Sequence, residues 1–108
     1  MSYDYLFFRL REAADCPANI AEADTVIIGS PDEIRESISS IFPDATWDSG
    51  GWGYLNPADK RGEICLSDPT GKSFRVSHVS VHEVQALCNA LRLTAFDGQQ
   101  LTLIQPEP

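Results

Sequence analysis

Two serines set most of the limits on how this chain can fold. Ser30-Pro31-Asp32-Glu33 places an N-cap serine, a proline at N1 and a glutamate at N3 in front of Ile34, Ile38, Ile41 and Phe42. Ser80-Val81-His82-Glu83 repeats the serine–glutamate spacing ahead of Val84, Leu87, Cys88 and Leu91, with Val81 extending the stripe. A serine three residues before a glutamate lets each side chain satisfy the other's backbone N–H, and proline at N1 has no N–H to waste. Both apolar sets recur at helical spacing, so each helix has one face to bury. Pro43 stops the first helix; Gln85, Asn89 and Arg92 fall on the polar side of the second. Neither helix can bury its stripe alone, and each needs a second layer.

The remaining sequence supplies that layer as strands. Residues 3 to 10 carry Tyr3, Tyr5 and Phe7 on one parity and Leu6, Phe8 and Leu10 on the other, the pattern of a strand covered on both faces for part of its length. Residues 13 to 25 read as a loop with a helical turn around residues 20 to 23, and Val26-Ile27-Ile28 as a brief second strand. Paired glycines in Asp48-Ser49-Gly50-Gly51, between Ala45-Thr46-Trp47 and Trp52-Gly53-Tyr54-Leu55, spell a hairpin. Asn56-Pro57-Ala58-Asp59 and Asp68-Pro69-Thr70-Gly71 are further turns, bracketing a strand at residues 62 to 67. From residue 73 the chain alternates, with Phe74, Val76 and His78 set against Arg75, Ser77 and Val79. After the second helix, residues 93 to 97 return to the sheet, Gly98 turns, and Leu101-Thr102-Leu103-Ile104 forms a last strand. The expected fold is α+β, a two-layer sandwich of a mainly antiparallel sheet with two helices packed on it. At 108 residues it is expected to be one domain, ending in a frayed tail at residues 105–108.

Charge is unevenly spread along this frame. From Glu12 to Asp48 there are nine acids (Glu12, Asp15, Glu22, Asp24, Asp32, Glu33, Glu36, Asp44, Asp48) against a single base, Arg35, so this stretch holds the entire net charge of −8. A segregated charge makes a directional field that can steer a basic partner. Asp32 and Glu33 have a helix-stabilising reason to exist in a first turn, whereas Glu36, Asp44 and Asp48 have none. A pI near 4.5 argues against nucleic-acid binding, which needs clustered bases to neutralise phosphate. No apolar run approaches the roughly 20 residues that span a bilayer, and the N-terminus lacks the basic and small-residue features of a signal peptide, so the expected location is the cytoplasm, away from membranes. Cys16, Cys65 and Cys88 form no C-x-x-C pair and are expected as reduced thiols.

Several constellations bear on chemistry. His78 and His82 stand four apart, the spacing of helical metal ligands, but the second capping box puts His78 before the helix, and there is no H-E-x-x-H; no metal or other cofactor is expected. Cys65 and His78 both lie on expected strands and could pair as nucleophile and base if their faces coincide, which depends on register. Gly50-Gly51-Trp52-Gly53 lacks the spacing and the lysine of a phosphate loop. Trp47, Trp52 and Tyr54 flank an acidic glycine turn, and such side chains bury large areas at low entropic cost at interfaces. With Asp44 and Asp48 they would offer an apolar anchor inside a negative rim.

The run Val81-His82-Glu83-Val84-Gln85-Ala86-Leu87-Cys88-Asn89-Ala90-Leu91, followed by Ala95-Phe96-Asp97-Gly98-Gln99, resembles the C-terminal helix and strand of small bacterial immunity proteins from toxin–immunity systems. The opening Met1-Ser2-Tyr3-Asp4 into an aromatic strand is similar too. The resemblance implies stoichiometric, non-catalytic binding to a cognate protein toxin with a basic surface. Glu22, Asp24, Glu36, Asp44 and Asp48 are then the expected electrostatic face, with Trp47, Trp52 and Tyr54 around the anchor. Two alternatives stay open: an adaptor or regulatory subunit of a housekeeping complex, and a thiol-dependent enzyme using Cys65 and His78. The oligomeric state is not set by the sequence.

Overall fold

Both helices start where their serines place them. In a computed structural model, which describes residues 4–10, 25–48, 51–58, 61–66 and 71–107, α1 spans Pro31–Ile41 and α2 spans Val81–Leu91. At each start the glutamate N–H donates to the serine hydroxyl at 3.2 Å, and the serine N–H donates back to the glutamate carboxylate at 3.0 Å. Ile34 and Ile38 are buried from α1, and Val84, Leu87 and Cys88 from α2. Val81, expected to extend the second stripe, is instead 56% exposed. Contact with the core begins only at Val84, one turn further in.

The strands are β1 (Asp4–Leu10), β2 (Thr25–Val26), β3 (Thr46–Trp47), β4 (Trp52–Asn56), β5 (Arg61–Cys65), β6 (Ser73–Ser77), β7 (Thr94–Asp97) and β8 (Thr102–Ile104). They form one sheet in the order β3-β4-β5-β6-β1-β7-β8, with β2 paired to β1 beside this path, and every pairing is antiparallel. Since β6 and β7 both run antiparallel to β1, they are parallel to each other, and α2 crosses over β1 to join them. The strand at residue 25 starts one position before the expected apolar run and leaves Ile27 63% exposed. The helical turn expected around residues 20 to 23, most of the turn at residues 68 to 71, and Cys16 lie outside the described residues.

Register assigns every strand residue to a face. Trp47, Gly53, Ile64, Val76 and Tyr5 follow one another across five strands. Ile64, Val76 and Tyr5 are buried in the same cluster as Ile34, Ile38, Val84 and Leu87, so both helices cover this face. Phe7 and Phe74, directly opposite in register, stack there with centroids 4.9 Å apart and planes at 4°. Completely burying a side chain such as Phe7, Ile38, Ile64 or Leu87 contributes about 1.5–3 kcal/mol each. An α+β fold of a mainly antiparallel sheet with two helices packed against it is what the capping boxes and strand patterns called for.

Two local departures have clear physical causes. The alternation in β6 was expected to run through His78, placing it with Phe74 and Val76. His78 instead takes a left-handed φ of 53°, which breaks the two-residue period, turns His78 to solvent and buries Val79 at 8% exposure. The expected frayed tail is also tied down as far as residue 107. Gln85 Nε2 donates to the Gln105 carbonyl at 2.8 Å, Asn89 Nδ2 donates to Glu107 Oε1 at 2.8 Å, and the Glu107 N–H donates to Asn89 Oδ1 at 2.8 Å. Gln85 and Asn89, on the polar side of α2, hold the tail along the helix instead of facing water alone.

Candidate binding site

The hairpin of β3 and β4 gathers the aromatic residues. Residues 49–50 of the expected turn lie outside the described residues, but Asp48 and Trp52 on either side are bonded twice: the Asp48 N–H donates to the Trp52 carbonyl at 2.8 Å, and the Trp52 N–H donates to Asp48 Oδ1 at 3.0 Å. Asp48 therefore has a structural task that its position in the sequence did not disclose, an aspartate carboxylate completing a turn.

The two tryptophans do not share a face. Trp47 lies on the helix side, opposite Gly53, where its half-buried ring packs against the core. A Cβ at position 53 would stand 2.5 Å from the Thr46 carbonyl oxygen and 2.6 Å from the Trp47 ring, so only glycine leaves room for the indole. The ring N–H donates to Ser39 Oγ of α1 at 2.9 Å, and the Arg35 guanidinium lies 5.8 Å from the ring centroid. Trp52 points to the opposite, helix-free side and is 45% exposed. Trp47 is thus bound into the fold, and Trp52 is the tryptophan exposed to solvent.

On the helix-free side two rows cross the sheet. Thr46, Tyr54, Glu63, Ser77 and Asp4 face one another in succession, and beside them run Trp52, Cys65, Arg75, Leu6, Phe96 and Leu103. At the β3 end the rows enclose a hollow of about 350 Å³, formed by Thr46, Trp52, Tyr54 and Glu63 and completed by Trp47, Asp48 and Gly53. Tyr54 and Glu63 are directly paired across β4 and β5, and both are half-buried. Glu63 was missed in the sequence because its partner across the sheet cannot be read without the register.

Of the eight residues expected to bind a partner, Trp47, Asp48, Trp52 and Tyr54 line this hollow. Glu36 and Asp44 are exposed but stand outside it, on α1 and in the turn that follows. Glu22 and Asp24 lie outside the described residues. Cys65 and His78 are not brought together. Cys65 faces Arg75, while His78 follows Ser77, which faces Glu63. At about 3.3 Å per strand residue, that separates the pair by roughly 10 Å along the sheet. Among the described residues no group of three or more His, Cys, Asp or Glu side chains is arranged to hold a metal ion. Nor is any described helix long and apolar enough to cross a membrane.

Two groups away from the hollow titrate abnormally. Burial pushes the Cys88 thiol up to about 12, partly countered by a hydrogen bond with the Ala95 backbone. The backbone N–H of Ser30, followed by its hydroxyl, holds the Glu33 carboxyl below its ordinary range. Both shifts belong to the fold, one to the core and one to a helix cap.

In class, then, the molecule is an antiparallel α+β domain with an aromatic, acid-flanked hollow on the sheet face its helices leave open. The chain matches no protein-family model, no curated protein and no solved structure.

Proposed function

We propose that this chain is an immunity protein, one that neutralises a cognate protein toxin by binding it. The observation that carries this reading is the hollow, where exposed Trp52 and half-buried Tyr54 stand with Asp48 and Glu63. Aromatic side chains surrounded by polar groups are the usual anchors of tight interfaces, and the surrounding charge sets approach and orientation. The later part of the acid-rich stretch, from α1 to Asp48, lies at the same edge: α1, carrying Glu36, packs on Trp47 through Ser39 and Arg35, and Asp44 and Asp48 flank β3. A toxin with a basic surface would be drawn to that edge, in the cytoplasm, and held there by the aromatic contacts. No step of such protection requires chemistry from this chain.

The reading is tested by affinity capture from cells of the source species. Wild-type chain, tagged at one terminus, is compared with a Glu36→Lys, Asp44→Lys variant, which reverses two exposed charges without touching the hairpin-closing Asp48. One effector protein retained by the wild type at near-equal stoichiometry, and retained poorly by the variant at low salt, is the expected result. A single effector retained equally by both at low salt would remove the acidic edge from the reading. Recovery of a housekeeping complex would replace the reading with the adaptor alternative.

A further inference from the structure

We propose that the hollow on the helix-free face is a receptor for one guanidinium group, the side chain of an arginine presented by the partner. The reading above supplies the idea that the partner is a protein; the chemistry of the hollow is argued from its own residues.

Trp52 and Tyr54 are two residues apart on β4, so their side chains leave the same face about 7 Å apart. Both side chains line the hollow, so a planar group entering it meets aromatic surface from two residues. Glu63 lies directly across from Tyr54 and is half-buried, with less water around it to weaken an ionic contact. Among the described residues Glu63 takes part in neither the Arg35–Asp32 nor the Arg61–Glu83 ion pair. Asp48, held by the Trp52 N–H, adds a second negative charge at the rim. Two aromatic faces next to a carboxylate attract a cation through the ring quadrupoles and the charge together.

The chain already builds this arrangement once, on the other side of the same hairpin. Arg35 places its guanidinium 5.8 Å from the Trp47 ring and 3.1 Å from Asp32 Oδ1. There the arginine, the indole and the carboxylate all belong to the chain. At the hollow Trp52, Tyr54 and Glu63 stand together, and no described arginine or lysine is among its lining residues, Arg75 standing on the same face but outside it. A guanidinium fits better than an ammonium because it is planar, stacks on an indole and bonds a carboxylate with two parallel N–H groups.

The test needs no toxin. The blocked peptide acetyl-Gly-Arg-Gly-amide is titrated into the full chain, alongside the same peptide with citrulline, which keeps the shape and loses the charge, and with lysine. The two indole N–H resonances are followed by NMR. Saturable movement of the Trp52 signal with Kd on the order of 1–10 mM is expected for a single such contact. Citrulline should bind about tenfold more weakly, as should the arginine peptide to Glu63→Gln, a variant that keeps the strand pairing. No saturable shift, equal binding of citrulline, or equal binding of lysine would each overturn the proposal. If an effector is captured while the peptide fails to bind, only the guanidinium site is lost; if the peptide binds while no effector is captured, only the immunity reading is lost.

Discussion

A methyl group at position 53 has nowhere to go between the Thr46 carbonyl and the Trp47 ring. Gly53→Ala should therefore destabilise the fold by about 1–3 kcal/mol, the usual cost of overpacking, and should change the Trp47 environment. Urea unfolding with tryptophan fluorescence reads both effects; an unchanged midpoint would mean that the indole does not lie over Gly53. Cys88 makes a second prediction at this scale. Its thiol is held at about 12, above its ordinary value of 9.0, because the ionised form would be buried. Stability from the neutral thiol is complete below about pH 9 and is lost as pH rises from there toward 12. In a Cys16→Ser, Cys65→Ser background, folded protein at pH 8 should resist a thiol-specific reagent that labels the urea-unfolded chain at once. Equal labelling of both would contradict the burial. Single residues were the hardest features to read from sequence. His78 escaped because one left-handed residue resets the alternation, and Asp48 because a carboxylate in a turn looks the same as one facing a partner.

The starts of helices α1 and α2 could be read to the residue because a capping box and an apolar stripe are local signals, contained within a dozen positions. Ser80→Ala removes one side of the second box and should cost about 1 kcal/mol, measured by thermal or urea unfolding. A cost near zero would show that tertiary packing holds α2 without its cap. The first box gives a pH effect. The Glu33 carboxyl is held below its ordinary 4.5, so its contribution is present above that pH and fades as pH falls below it through the lowered value. The Ser30 amide resonance should titrate with a midpoint under 4.5, and a midpoint at or above that value would exclude the carboxylate–amide bond. The strands were recognisable as alternating runs between turns, although β2 was displaced by one residue. The tail was misjudged because Gln105-Pro106-Glu107 has no pattern of its own, and what orders it is a row of amide groups on α2.

At the scale of the whole molecule, α+β architecture followed from two amphipathic helices and several short strands, but strand order did not. β1 pairs with β6 and β7, some seventy to ninety positions away, and no local pattern specifies contacts of that range. The candidate site shares this limit. Trp52 and Tyr54 were visible in the sequence, whereas Glu63 joined them only through the β4–β5 register, and the separation of the two tryptophans depended on knowing which face the helices cover. What results is a sheet with one face closed by helices and an acid-flanked aromatic hollow on the other, the surface to which the proposed function assigns the basic toxin. The decisive measurement is a growth assay in which reading frames adjoining this chain's gene are expressed one at a time in a host, with and without the chain. One of them should arrest growth alone and be relieved by wild-type chain, with weaker relief from Trp52→Ala. If none is toxic, or if a toxic neighbour is not relieved, the proposed neutralising role is wrong.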